Sequence, residues 1–455
     1  MRLQEALISL RGRARSALRE GRRFRWVLDE IERTQWLTRA ELRTLQLERT
    51  RALLEHAMSR VPYYRHLLQP MGLDAAWLRE LEDVEALPLL CKATVASRGK
   101  EFLATGFRGP RFRVHTSGTT GSPLVLMQDL NAIVRENAFV WRQLLWAGLR
   151  FGERRAWLRG DLIVPSEQTE PPYWRVNRGE NMLMMSSYHL SEASADAYLA
   201  ALARFDPVLL QAYPSSIAYI ARYLESRGRY YEGKSLRAIV TTSETLSEED
   251  EELIRTRMGA KVFEQYGTAE RVTMIQTCER GGRHIDLDYG LTELLPSGDG
   301  TWEIVGTGFN NWLMPLIRYR TGDLVALDPA NARCACGREL PLVRRIYGRA
   351  DDYVITSEGR RVGRLDHIFK GVANIAEAQI VQERIGELTL RVVPFGRFGK
   401  RDRLALVHNA RRRLGERMRI EVEIVPFIPR TANGKFRAVV CKVADERKRA
   451  EVSAA

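Results

Sequence analysis

Residues 207–226 read PVLLQAYPSSIAYIARYLES, and this stretch decides the fold. Val208 to Ala212 is a short apolar run, and Ser215 to Ser226 then repeats its apolar residues at helical spacing. The alternation continues downstream: Leu236 to Thr241 is strand-like, Ser247 to Met258 helical, and Lys261 to Gln265 strand-like again. Strand, helix, strand, helix, strand requires right-handed crossovers and builds a parallel sheet. Ligands of such sheets bind beyond the carboxyl ends of the strands, where Tyr213 to Ser216, Thr242 to Thr245 and Tyr266 to Glu270 emerge.

Outward from that centre the character changes. After Gly348, Ala376 to Gln382 and Leu388 to Val393 read as strands, Arg401 to Leu414 as a very basic helix, and Ile420 to Val425 as another strand. The expected architecture is α/β: a large multi-sheet N-terminal domain with parallel strands, 1–348, and a small mobile α+β C-terminal domain, 349–455. Residues 1–65 form a helical N-terminal segment. Within it Arg39 to Arg60 has helical spacing, and Pro62 stops the pattern. Leu3, Ala6, Leu7, Leu10, Ala14, Ala17 and Leu18 line one face of an earlier helix whose other face carries Arg11, Arg15, Arg19 and Arg22. That pattern suits peripheral contact with a membrane, or packing on the chain's own domain with the arginine face in solvent.

A chain of 455 residues exceeds what one core usually supports, and 45% hydrophobic with 28% charged residues is a globular composition. No run reaches the roughly 18 apolar residues of a membrane span, and arginines interrupt the N-terminal apolar positions, so the expected location is the cytoplasm. The net charge is +14, but Lys occurs only nine times among the 71 cations. No helix-turn-helix, finger or aromatic RNA-binding signature accompanies that charge, so nucleic acid is not an expected partner.

The strongest local signal is Thr116-Ser117-Gly118-Thr119-Thr120-Gly121-Ser122-Pro123. Its glycines let the backbone turn and offer N–H groups, and its hydroxyls add donors for phosphate oxygens. The lysine and spacing of a Walker loop are missing. Four further stretches follow in order: Tyr266-Gly267-Thr268-Ala269-Glu270, with an aromatic face for a base and a carboxylate for a divalent cation; Tyr319 to Leu324, with Asp323 suited to both ribose hydroxyls; Gly348 to Asp352; and Arg430 to Lys435, which sets one of the rare lysines on a turn. Singly, each also suits a capped turn.

This ordered set resembles the acyl-adenylating superfamily of acyl-CoA synthetases, luciferases and peptide adenylation domains, over nearly the whole chain from about residue 35. The closer likeness is to the phenylacetate-CoA ligase branch, its CapK-like members, and synthetases that adenylylate a deazaflavin. It is carried by Gln46 to Arg65, Tyr213-Pro214-Ser215-Ser216, Thr242-Ser243-Glu244-Thr245-Leu246 and Gly363 to Phe369. The resemblance implies ATP and Mg²⁺ as cofactors and acyl-AMP as product. Thr116, Ser117, Gly118, Thr119, Thr120 and Gly121 would cover the β- and γ-phosphates. Tyr266, Gly267 and Thr268 would line the nucleotide, with Tyr266 on adenine, Glu270 on Mg²⁺ and Asp323 on the ribose. Arg349 would contact the nucleotide, Asp351 would be the hinge, and Lys435 would bridge substrate carboxylate and α-phosphate. Leu124 stands where many members have lysine, and Ala269 replaces a hydroxyl residue. Ser357 to Val362 departs from the phenylacetate-ligase version, in a region that helps form the thiol channel of related enzymes.

Cys278, His284, Cys334 and Cys336 form a donor set suited to a tetrahedral structural zinc; free thiols are the alternative. Tyr213, Ser215 and Glu244, at strand ends, are the candidate substrate residues. Trp157, Arg159, Asp161 and Trp174 form a polar-aromatic stretch, and His189 reads as a gate or a satisfied core histidine. The expected function is an ATP-dependent ligase that activates an aryl or polar carboxylic acid and passes it to a thiol such as CoA. A carrier-protein or amine acceptor, hydroxyl adenylylation, or a degenerate nucleotide-binding scaffold in polysaccharide assembly are the alternatives.

Overall fold

The fold is that of a computed structural model that describes residues 2–72, 77–116, 124–298, 300–329, 332–349, 353–363, 365–369, 371–431 and 433–443. It separates into two compact units. One comprises Met1–Ala6, Gly152–Val262 and Tyr347–Ala455; the other comprises Leu7–Phe151 and Phe263–Ile346. The C-terminal residues therefore share a unit with the parallel strands that precede them by more than a hundred positions.

In the first unit the strand Arg155–Arg159 runs parallel to Leu209–Ala212 on one side and to Met182–Ser186 on the other. Ala238–Thr242 continues the parallel set beside Leu209–Ala212, and Trp174–Asn177 adds an antiparallel edge. The intervening helices are Glu192–Phe205, Pro214–Ser226 and Glu248–Met258. The last is specified locally: Ser247 Oγ accepts the Asp250 N–H at 3.0 Å, four acidic residues fill the first turn, and Gly259 at φ +65° ends it. These helices bury Tyr198, Ile217, Ile220, Leu224 and Ile254 over the sheet.

The C-terminal strands form a separate four-stranded sheet in the order Arg419–Ile424, Glu387–Pro394, Ile375–Gln382, Val439–Cys441. The central pair is antiparallel and both outer pairs are parallel. The helix Lys400–Leu414 closes a core of Ile380, Leu390, Val392, Leu406 and Leu414. The structure is thus α/β with an α+β C-terminal part.

The second unit holds the helices Arg22–Thr34, Arg39–Arg60, Pro62–Leu68 and Leu130–Trp146 and, within Phe263–Ile346, a largely antiparallel set of strands. Arg39–Arg60 begins at a capping box in which Glu41 N–H donates to Thr38 Oγ1 and Thr38 N–H to the Glu41 carboxylate. Pro62 does end that periodicity, but as the first residue of the next helix, where its missing N–H costs nothing. Arg142, fully buried in Leu130–Trp146, lies 2.8 Å from both Asp286 and Asp288 and packs over Phe139 and Trp146. Thr34 also donates to Asp288, at 2.6 Å.

Candidate active site

In the second unit the strands Arg111–His115 and Val125–Asp129, which flank the hydroxyl-rich stretch in sequence, pair antiparallel. Thr116 N–H donates to the Leu124 carbonyl and Leu124 N–H to Thr116 Oγ1, both at 3.0 Å, which carries the pairing one residue beyond His115. Ser117, Gly118, Thr119, Thr120 and Gly121 lie outside the described residues.

The strand Lys261–Gly267 delivers Tyr266, whose hydroxyl donates to Asp323 Oδ2 at 2.7 Å. Asp323 belongs to Tyr319–Leu327, and the Tyr319 hydroxyl donates to Glu270 Oε1 at 2.9 Å. One strand thus ties both ends of the Tyr266 to Glu270 turn. The Asp323 N–H donates to Thr321 Oγ1, which in turn donates to the Ile304 carbonyl. Asp323 is therefore held by its own backbone before any ligand arrives. Thr268 Oγ1 is buried with no hydrogen-bond partner among the described residues. Such a hydroxyl is costly unless something polar fills the place beside it, and a phosphate oxygen has the right chemistry.

The first unit holds the lysine side. Arg430 to Lys435 forms a closed turn: Thr431 N–H donates to the Lys435 carbonyl at 3.0 Å, Gly434 N–H to the Thr431 carbonyl at 2.8 Å, and Lys435 N–H to Thr431 Oγ1 at 3.0 Å. Gly434 takes φ +70°. The turn rests on a floor from the parallel-strand region. The Tyr213 hydroxyl donates to the Asn433 carbonyl at 3.2 Å, and the Phe436 N–H donates to Glu244 Oε1 at 2.6 Å. The Ser215 N–H donates to the second Glu244 oxygen at 3.1 Å. Burial pushes the Glu244 carboxyl above its usual range, although these N–H donors act the other way. Glu244 follows Ser243, a non-glycine residue at φ +74°, so the turn that presents it is strained.

Gly160 forms the closest part of the floor. A Cβ there would stand 1.9 Å from the Asn433 oxygen and 2.9 Å from the Gly434 Cα. Tyr188 donates to the Gly160 carbonyl at 3.1 Å and lines Gly434 from the side. Arg349 ends the strand Leu342–Arg349, and a Cβ on Gly348 would meet Thr245 Oγ1 at 2.4 Å. The Gly348-Arg349 stretch and the Glu244 turn are therefore neighbours. Asp351 lies outside the described residues.

Beside this floor the Arg159 guanidinium lies 4.3 Å from the centre of the Trp157 ring and 5.9 Å from that of Tyr213, while Trp157 Nε1–H donates to Asp161 at 2.7 Å. Trp174 packs edge-on to Tyr198. Both ring nitrogens of His189 have partners, Ser186 Oγ and the Pro165 carbonyl, and the ring stacks on Tyr173, so it is a satisfied packing histidine. No local sequence pattern marks Gly160 or Tyr188, because the strand Arg155–Arg159 that leads into Gly160 is itself unmarked by an apolar run.

Cys278, His284, Cys334 and Cys336 converge in the second unit, with all four donor atoms within 4.8 Å of one another. Cys278 Sγ and Cys334 Sγ are 3.5 Å apart, and Cys336 Sγ is 3.3 Å from His284 Nε2. Sulfurs on a tetrahedral zinc with Zn–S near 2.3 Å stand roughly 3.8 Å apart, close to this spacing. His284 Nδ1 contacts the Leu340 carbonyl at 3.1 Å; as the N–H donor there, it leaves Nε2 with a lone pair toward the sulfurs. Burial holds the imidazole down to about 4, so it is neutral at ordinary pH. Burial pushes the Cys278 thiol up to about 12, whereas Arg338 draws Cys336 down in spite of its burial. Gly282 makes room: a Cβ there would lie 2.7 Å from Cys334 Sγ.

Residues 354–442 match the CapK C-terminal domain family. The protein CapK of Staphylococcus aureus is 24% identical over 96% of this chain and 96% of its own length. A phenylacetate-coenzyme A ligase of Thermus thermophilus is 30% identical over 70% of this chain and 73% of its own. Among solved structures, a 2-hydroxyisobutyryl-CoA ligase in the postadenylation state superposes with a TM-score of 0.68 at 19% identity, covering 92% of this chain and 94% of that one.

Proposed function

We propose, from the premise that this chain belongs to the phenylacetate-CoA ligase and CapK-like branch of the acyl-adenylate-forming superfamily, that it activates an aryl or polar carboxylic acid as acyl-AMP and passes the acyl group to the thiol of CoA. Its class is that of an AMP-forming acid–thiol ligase. In the first half-reaction a carboxylate oxygen attacks the α-phosphorus of ATP, the bond to the bridging oxygen breaks, and pyrophosphate leaves. In the second, the thiol sulfur attacks the acyl carbon and AMP leaves.

The roles follow the residues. Asp323, held by Thr321, grips the ribose hydroxyls, and Tyr266 offers its ring to the base. Thr268 and the Thr116 to Gly121 loop take the polyphosphate. Mg²⁺, held by Glu270, would neutralise phosphate charge when bound. Lys435 and Arg349 supply charge that the transition state needs more than the ground state does. The observation that carries the reading is the closed Lys435 turn, pinned at Asn433 and Phe436 by Tyr213 and Glu244. A residue needed only for solubility has no use for such a mount. Glu244 and Tyr213 support the turn, and Ser215 and the Trp157, Arg159 and Tyr213 stack provide the polar and aromatic surroundings that favour an aryl or polar acid.

The departure at Ser357 to Val362 favours a second reading of the acceptor alone, in which an amine or hydroxyl takes the place of the thiol. One screen tests both: acid-dependent ATP–pyrophosphate exchange across aryl, fatty and sugar acids, then product analysis with CoA and with amines. Exchange with no acid in any class would overturn the ligase reading; amide formation without thioester would decide for the second acceptor.

We assign a structural Zn²⁺ to Cys278, His284, Cys334 and Cys336. With four protein donors the ion has no open position, so it holds loops together and takes no part in the reaction. Metal analysis is expected to find about one zinc per chain, lost in Cys334→Ser together with several degrees of thermal stability. Because the Cys278 thiol is protonated when metal-free, titrating zinc into the stripped protein should release protons. Equal zinc in the natural chain and in Cys334→Ser would remove the assignment.

A further inference from the structure

The first helix, Arg2–Arg19, is seated with its apolar side outward. On a wheel of 3.6 residues per turn Ala6, Leu7, Leu10, Ala14, Ala17 and Leu18 make one stripe. Leu7 is 50% exposed, Leu10 65% and Leu18 50%, and the three alanines are exposed as well. The opposite, small and polar side is the one turned inward. Gly12 is buried, Ser16 Oγ donates to Glu20 at 2.7 Å, Trp141 Nε1–H donates to Glu20 at 3.0 Å, and the Asn137 amide reaches the Arg19 carbonyl at 3.5 Å. The next helix does the reverse and buries its stripe of Phe24, Val27, Leu28 and Ile31.

Charge borders the exposed stripe on both sides. Helical spacing sets Arg13 along one edge and Arg11 and Arg15 along the other, and Arg22, Arg23 and Arg25 follow on exposed positions of the next helix. Residues 1–26 hold eight arginines against Glu5 and Glu20. Leucine and alanine flanked by arginine is the arrangement in which a helix lies in a membrane interface, its stripe at the acyl boundary and its cations among phosphates. A second copy is a poor occupant, since facing stripes would set arginine rows against each other.

We propose that this face of Arg2–Arg19 docks the protein on an anionic bilayer surface. The test is co-sedimentation of the full chain with vesicles of phosphatidylcholine alone and with equimolar phosphatidylglycerol. Binding to the anionic vesicles is expected to be about tenfold stronger and to weaken with salt. Leu7→Glu/Leu10→Glu should reduce it about tenfold or more, and so should Arg11→Glu/Arg13→Glu, which keeps the leucines. Adenylate formation should be unchanged in both, since none of these residues belongs to the proposed site. No preference for anionic vesicles, or undiminished binding by both variants, overturns the proposal. So does a dimer in light scattering that Leu7→Glu/Leu10→Glu dissociates without any vesicle binding, because the stripe would then belong to a second copy.

Discussion

Lys435→Ala is expected to lower acid-dependent ATP–pyrophosphate exchange about 10²- to 10³-fold while ATP affinity stays within a few-fold of the natural chain. The reasoning is differential. A lysine that met ATP equally in ground and transition states would change affinity and rate together, whereas one aimed at charge that develops during attack changes the rate alone. The described backbone of the Lys435 turn is tied down through Thr431, Asn433 and Phe436, and truncating the side chain removes none of those hydrogen bonds. Exchange in Lys435→Ala within threefold of natural would remove the lysine from the reaction. A parallel loss of ATP binding would make it a ground-state ligand instead.

The second large effect is predicted for Gly160→Ala, a change of one methyl group on a residue with no functional group of its own. That methyl would lie 1.9 Å from the Asn433 oxygen, so the turn must move by more than an ångström. Displacement of that size at a reacting constellation costs about 10²-fold in rate. ATP binding should persist, because the groups assigned to base and ribose lie in the other compact unit. Thermal melting separates this from simple unfolding: a melting temperature near natural with exchange lost supports a displaced turn, and undiminished exchange refutes it.

How much of this was legible beforehand varies by element. The helix Arg39–Arg60 was readable because its apolar residues recur at helical spacing until Pro62 stops the pattern; the capping box of Thr38 and Glu41 that fixes its start emerges from the structure. The alternation after Pro207 was readable because its strands are buried on both faces and appear as unbroken apolar runs. Arg155–Arg159 was not, since arginines stand at both its ends and its interior contributes only three residues. The Cys and His donors announced themselves by element type, although only the fold shows the four atoms together. Gly160 and Tyr188 were missed because their importance lies in an approach between segments far apart in sequence, which no local period records. For the first helix the apolar stripe was plain, but its outward orientation was not: the small face of Gly12 and Ser16 packs more closely than leucines would.

Arg142 and its two aspartates have a consequence for handling the protein. Dissolved ions cannot reach a charge triad with no accessible surface, so concentrated salt leaves it untouched while exposed pairs such as Arg98 and Glu101 fade. Purification in molar chloride should therefore be tolerated. Truncating Arg142 is the more dangerous step, because it leaves two carboxylates facing each other in a place that water does not enter.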